Sequence, residues 1–159
     1  MVVLYYISVW LHILSAAVWI GGTVFLILVL VPMVRRSEYR SIGAAVIHWT
    51  GMRFRWVGWL CLSLLLLTGI FNLAYRGRLW DDTLDVVFTV KLFFFIVIFI
   101  LSALHDFSIG PRATSLWQEN PGSSEGIRLR RKASRIGRLN LILGLVMVAL
   151  GIVLVRGTP

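Results

Sequence analysis

The sequence has few cysteines, few charged residues and, among those, few acids. Its single cysteine, Cys61, excludes an internal disulfide framework, a zinc ribbon and a CxxC redox motif. Only 14% of the 159 residues are charged, against about 25% in ordinary soluble domains. Because 58% of the residues are hydrophobic and the mean hydropathy is +0.86, a water-soluble domain is excluded, and the lipid bilayer is the expected surrounding.

The charge that is present is strongly one-sided. Sixteen Lys and Arg residues stand against seven Asp and Glu, which gives a formal net charge of +9. On a soluble fold such a balance would suggest nucleic-acid binding. Here the basic residues flank apolar stretches, where they act as topology signals, so no nucleic-acid partner is expected.

Four stretches of the chain are nearly free of charge and long enough to cross a bilayer, whose core of about 30 Å needs about 20 helical residues. The predicted spans are residues 5–32, 54–75, 85–108 and 134–155, within a single domain of residues 1–159. The first span lacks the basic start and the cleavage site of a signal peptide, so we expect it to remain as an anchor.

Basic residues are concentrated in two of the three connections. Residues 33–55 carry five arginines against one acid, and residues 106–138 carry seven basic residues against three acids, whereas residues 76–85 carry two arginines against three acids. Lys and Arg near span ends stay on the cytoplasmic side of the membrane. The sequence therefore predicts an all-α membrane protein, an up-down bundle of four transmembrane helices with both termini outside (N-out and C-out), multi-pass in the inner (cytoplasmic) membrane.

Three ionisable side chains lie within the predicted spans, where they are costly and are candidates for function. His12 precedes Pro32 by 20 residues, and Lys91 precedes Pro111 by 20 residues. Since these two spans run in the same direction, His12 and Lys91 are expected at about the same depth. His105 lies six residues before Pro111, which places it about 21 Å deeper at about 1.5 Å per residue. The two histidines are therefore candidates for two separate sites.

Each of these side chains also has a structural interpretation. The alternative for His12 is a hydrogen bond to a serine hydroxyl of a neighbouring helix. Lys91 is explained by snorkelling of its ammonium group to the interface, and His105 by an interfacial position beside Asp106.

The helical face of His12 also carries Ser15 and Trp19, which complete a polar surface suited to a planar cofactor or to a hydrogen-bonded histidine. Copper prefers soft sulfur ligands, although histidine is also suitable, and the chain offers only Cys61 and four methionines. A bundle interior with histidine and large aromatic side chains suits haem better.

Two segments resemble a known family. Trp10–Pro32, WLHILSAAVWIGGTVFLILVLVP, has a histidine followed by a Trp-x-Gly-Gly step and resembles the first helix of the CopD-type (copper resistance D) membrane family. Lys91–Arg112, KLFFFIVIFILSALHDFSIGPR, is similar to the later lysine, histidine and Gly-Pro-Arg pattern of that family. A more distant likeness is to the HemJ-type protoporphyrinogen oxidases, small membrane proteins thought to bind haem b. The resemblance implies a four-helix membrane protein that handles copper or haem, with His12, Lys91 and His105 on the matching positions.

The leading hypothesis is a CopD-like integral membrane haem b protein that passes electrons or carries out a haem-linked oxidation in the bilayer. His12 is the expected axial ligand, Lys91, His105, Trp19 and Ser15 are further candidate cofactor contacts, and His12 and His105 are the candidate metal ligands. Whether the protein is an enzyme, a membrane haem oxidoreductase, is left open. One alternative is a copper transport or resistance protein, and another is a structural small subunit of a larger membrane complex. The expected partners are the lipid bilayer and either a membrane redox partner or a second copy in a homodimer.

Overall fold

Four long helices account for most of the chain that the structure describes. The computed structural model describes residues 1–39, 42–75, 86–120 and 122–156, so the predicted outer connection, residues 76–85, lies outside the described residues. The helices are α1 (Val2–Val34), α2 (Gly43–Tyr75), α3 (Val86–Glu119) and α4 (Ser124–Arg156). Each contains a window long and apolar enough to cross a membrane. This confirms the prediction of an all-α protein with four transmembrane helices, while the sidedness of its ends stays a prediction.

The helices follow from the need to satisfy backbone hydrogen bonds where no water is available. Two threonine side chains within them are satisfied in the same way. The hydroxyl of Thr23 donates to the carbonyl oxygen of Trp19 at 2.8 Å, and that of Thr114 donates to the carbonyl oxygen of Gly110 at 3.0 Å. A threonine that bonds to its own preceding turn is tolerated in an apolar helix because its hydroxyl is not left unpaired.

Two of the helices widen into a π-helical turn just before a proline. The widened segments are Leu26–Leu30 in α1 and His105–Ile109 in α3, and they precede Pro32 and Pro111 by the same distance. A proline lacks the N–H that would bond to the carbonyl four residues earlier, and its ring crowds that carbonyl. The wider turn accommodates both effects without ending the helix.

The helices pack as two antiparallel hairpins, α1 with α2 and α3 with α4. We call the end where α1 begins and α2 ends the N-terminal end of the bundle; there, Tyr5 stacks on Tyr75 with ring centroids 4.5 Å apart. We call the opposite end the basic end, because its described residues include Arg35, Arg53 and the arginines at the start of α4. Many large apolar side chains on all four helices are exposed, as expected for surfaces that contact lipid.

Trp19 occupies the centre of the bundle, in a slot made by two glycines. Its side chain is 6% exposed and belongs to the buried cluster with Cys61, Leu62 and Ile98. A Cβ atom added to Gly58 of α2 would lie 3.7 Å from the Trp19 ring, and one added to Gly144 of α4 would lie only 2.9 Å from it. Glycine at position 144 therefore lets α4 approach the indole closely, whereas a Cβ at position 58 would make an ordinary van der Waals contact with it.

This slot predicts that Gly144→Ala destabilises the protein. A methyl group at this position must displace Trp19, and overpacking of this kind costs about 1–3 kcal/mol. Gly137→Ala, on the same helix two turns away, is the matched control because a Cβ there meets nothing within 4 Å. Thermal unfolding in detergent is expected to show a lower midpoint for Gly144→Ala and an unchanged or higher midpoint for Gly137→Ala, since alanine favours helix over glycine. Equal midpoints for the two variants would contradict the tight slot.

Candidate functional site

His12 lies on α1 against α2, and a chain of hydrogen bonds fixes its ring. Its Nδ1 is 2.8 Å from Oγ1 of Thr68, and the Thr68 hydroxyl donates its own hydrogen to the carbonyl oxygen of Leu64. Because that hydrogen is already used, Thr68 accepts a hydrogen bond from Nδ1–H of His12. The neutral imidazole then carries its free lone pair on Nε2. This is the arrangement found in metal-binding histidines, whose second nitrogen is held by a hydrogen bond.

Lys91 of α3 is the charged side chain associated with His12. It is half-buried. It lies at about the depth of His12, because Gly151 beside it is two turns from Gly144, which faces Trp19, and His12 is two turns from Trp19 on α1. A Cβ atom at Gly151 of α4 would lie 3.3 Å from Nζ of Lys91, and one at Gly69 of α2 would lie 3.7 Å from Cε1 of His12. In each hairpin, an ionisable side chain of the first helix thus lies against a glycine of the second helix. The pairs are His12 with Gly69 and Lys91 with Gly151.

Ser15 and Trp19 follow His12 on the same face of α1, and both are buried. Trp19 is part of the central packing described above, with Ile20 and Phe95 packed against its cluster. A role for either residue in cofactor binding stays a prediction.

His105 lies in the π-helical turn of α3 and is held in a similar way. Its Nδ1 is 2.9 Å from Oδ1 of Asp106, and the other carboxylate oxygen of Asp106 accepts a hydrogen bond of 3.1 Å from Nε1 of Trp59 on α2. Trp59 is itself packed edge-on against Phe99, with ring centroids 4.9 Å apart. When the carboxylate accepts from Nδ1–H, the lone pair of His105 is on Nε2, so both histidines present the same nitrogen.

A second polar contact lies one turn before His105. Nδ2 of Asn140 on α4 donates to Oγ of Ser102 at 3.0 Å, and both side chains are buried. Oδ1 of Asn140 is buried and has no hydrogen-bond partner among the described residues. The region around His105 therefore contains an unused oxygen acceptor besides the histidine nitrogen.

Sulfur atoms lie between the levels of the two histidines. Cys61 is buried in the Trp19 cluster, and Met147 of α4 packs against that cluster. Among the residues that the structure describes, no three His, Cys, Asp or Glu side chains come together. Any ion bound at this level, or at either histidine, would thus have few protein ligands from this chain.

Two residues that fix the histidines are not singled out by the sequence. They are Thr68, which bonds to His12, and Trp59, which bonds to the Asp106 partner of His105. Thr68 and Asn72 are polar residues four apart in a charge-free span, and this spacing is the signal that marks the face of α2 turned toward His12. Trp59 carries no such signal, because interfacial tryptophans are common in membrane proteins. Its contact with Asp106 depends on how α2 and α3 pack.

Comparisons with known proteins match the chain to a family that is named for copper resistance. The family model of CopD, described as copper resistance protein D, matches residues 49–154. The match contains Lys91 and His105, whereas His12 precedes it. A protein from Aquifex aeolicus (strain VF5), described as uncharacterized, is 34% identical over 143 residues, which is 89% of each chain. No solved structure matches the chain. The likeness to the HemJ-type group stays a prediction.

Proposed function

The chain belongs to the CopD family of membrane proteins, and we propose that it carries copper ions across the bilayer, binding them at His12 and at His105. The observation that carries this proposal is that each histidine has its Nδ1 engaged in a hydrogen bond. Each therefore offers Nε2 to a metal ion in a ring orientation that its neighbours fix. Copper is the substrate here, and the two histidines are successive binding sites near the two ends of the bundle.

The residues between the histidines support a path for copper rather than for a harder cation. Cys61 and Met147 contribute a thiol and a thioether in the central cluster, and copper(I) prefers soft sulfur ligands. The small number of protein ligands at each level suits an ion that is passed on, because conduction requires binding that is weak enough to allow release.

The location and assembly of the protein are part of this proposal. We place the N-terminal end outside and the basic end in the cytoplasm, in the inner membrane, because the connections at the basic end hold most of the positive charge. A second copy in a homodimer would help to enclose a path, since four helices form a narrow bundle.

Binding of haem b is the second candidate, favoured by the association of His12 with Lys91. If haem b were bound, Nε2 of His12 would hold its iron and Lys91 would pair with a propionate or supply a second ligand, while Trp19 and Ser15 lie on the same face of α1. Bound haem would supply one-electron transfer to a membrane redox partner, or the oxidation of a substrate.

The two candidates are separated by an absorption spectrum, oxidised and dithionite-reduced, with metal analysis on the same detergent-purified sample. The affinity tag must contain no histidine. We expect up to two copper ions per chain after loading with copper(I), and no Soret band. A stoichiometric Soret band that shifts on reduction would overturn the copper proposal in favour of haem b. Neither copper nor haem would leave a structural subunit of a larger complex as the remaining interpretation.

A further inference from the structure

Two buried oxygen atoms near the N-terminal end have no hydrogen-bond partner. They are Oγ of Ser8 on α1 and Oδ1 of Asn72 on α2, and the statement holds for the residues that the structure describes. The Ser8 side chain is only 7% exposed. An unpaired hydroxyl or amide in apolar surroundings costs about 1–3 kcal/mol in proteins, so two of them at one place indicate that something polar occupies the space beside them.

The register of α1 and α2 brings these two positions opposite each other. Tyr5 stacks on Tyr75. Seven residues away from these tyrosines on each helix, toward the basic end, the imidazole of His12 bonds to Thr68. Ser8 lies between these two contacts on α1, and Asn72 lies between them on α2, about one helical turn below the tyrosine stack. The pair is therefore bounded by the stacked rings on one side and by His12 on the other.

We propose that the Ser8–Asn72 site holds water and is the port through which a hydrated copper ion reaches His12 from the N-terminal end. A hydroxyl and an amide oxygen are suitable partners for a buried water molecule, which needs two to four polar neighbours. The same groups can exchange hydrogen bonds with water in the hydration shell of an ion. The tyrosine stack covers the site and must separate for entry. This inference rests on the proposed copper function for the identity of the ion, whereas the presence of water does not depend on it.

Cysteine labelling tests whether the site is wet. A charged methanethiosulfonate reagent reacts with the thiolate, which forms only where water reaches the sulfur. Ser8→Cys changes a single atom of the side chain, and Asn72→Cys probes the facing position. The native Cys61 is buried, so the wild-type protein provides the background rate. The matched control is Ile7→Cys, a neighbour of Ser8 on α1 whose side chain is 48% exposed.

In membrane fragments open on both faces, we expect Ser8→Cys and Asn72→Cys to react at least about tenfold faster than Ile7→Cys. Tyr75→Ala combined with Ser8→Cys is expected to react several-fold faster still, because the cover is removed. Reaction of Ser8→Cys or Asn72→Cys at the rate of the Ile7→Cys control would overturn the proposal, provided that the variants elute as monodisperse protein.

The rate of copper uptake tests the port, and it does so separately from the proposed copper function. We expect labelled Ser8→Cys to take up copper at His12 at least about tenfold more slowly than wild-type protein treated with the same reagent. Unchanged uptake after labelling would show that copper enters elsewhere and would refute the port, even if the site is wet. If the wild type binds no copper, the copper function itself fails, and the labelling rates still decide whether water occupies the site.

Discussion

Replacing His12 by alanine is expected to remove one of the two copper sites and to reduce copper(I) flux into proteoliposomes by at least about tenfold. The variant loses the one imidazole nitrogen that the α1–α2 hairpin presents at this level. The remaining oxygen atoms of Ser8 and Asn72 are poor ligands for copper(I) because they are hard donors. Metal analysis is expected to show a fall from two bound ions to one, and competition with a copper(I) chelator of known affinity measures the loss.

Thr68→Val separates ligation from positioning, because it keeps the shape of the side chain and removes only the oxygen that holds Nδ1 of His12. Loss of a hydrogen-bond partner of a metal-binding histidine typically lowers metal affinity by about 10- to 100-fold. We therefore expect weaker copper binding with the stoichiometry retained. A merely structural threonine would lower the unfolding midpoint without changing the affinity of the folded protein.

His48→Ala is the matched control for His12→Ala. His48 is exposed on α2, and its ring lies 6.4 Å from that of Trp49 between centroids. Its removal is expected to leave both the number of copper ions and the flux unchanged. An equal loss in the His48 and His12 variants, or no loss in either, would contradict the assignment of His12.

The four transmembrane helices could be predicted from the sequence because one physical requirement, a charge-free run that spans the bilayer, determines them. The helices extend beyond the predicted spans for a reason that hydropathy does not report. Around the predicted end at residue 108, α3 passes through the π-helical turn ahead of Pro111 and continues to Glu119. A proline preceded by a wider turn does not end a helix, so its presence alone marks the boundary poorly.

The candidate site could be predicted only in part, since single positions are visible in a sequence but their partners are not. The cost of an ionisable group in lipid identified His12, Lys91 and His105 as candidates. The orientation of each imidazole depends on Thr68 and Asp106, and these contacts require the register between helices and the local geometry of the π-helical turn. The structural interpretation of His12 named a serine hydroxyl of a neighbouring helix, and the hydroxyl that His12 meets belongs to a threonine, because α2 turns Thr68 toward it.

Lys91→Gln is expected to raise the affinity of the His12 site for copper by about tenfold, or about 1.4 kcal/mol. Lys91 lies at about the depth of His12, and a cation there repels an arriving copper ion, all the more so where little water screens the interaction. Glutamine has a similar length and remains neutral. Tighter binding is expected to slow release, so the copper flux falls while the affinity rises, and the two are measured on the same protein by chelator competition and by proteoliposome uptake.

The chain contains one other lysine, Lys132, which is exposed at the basic end of α4, and Lys132→Gln therefore controls for the change in net charge. It is expected to alter neither quantity. The sign of the Lys91 effect also distinguishes the two candidate functions. If the site holds haem b, loss of Lys91 removes a ligand or a propionate partner, and the haem content falls instead of the metal affinity rising. A decrease in copper affinity in Lys91→Gln would show that the ammonium group does not oppose the ion, and the copper path past His12 would then have to be abandoned.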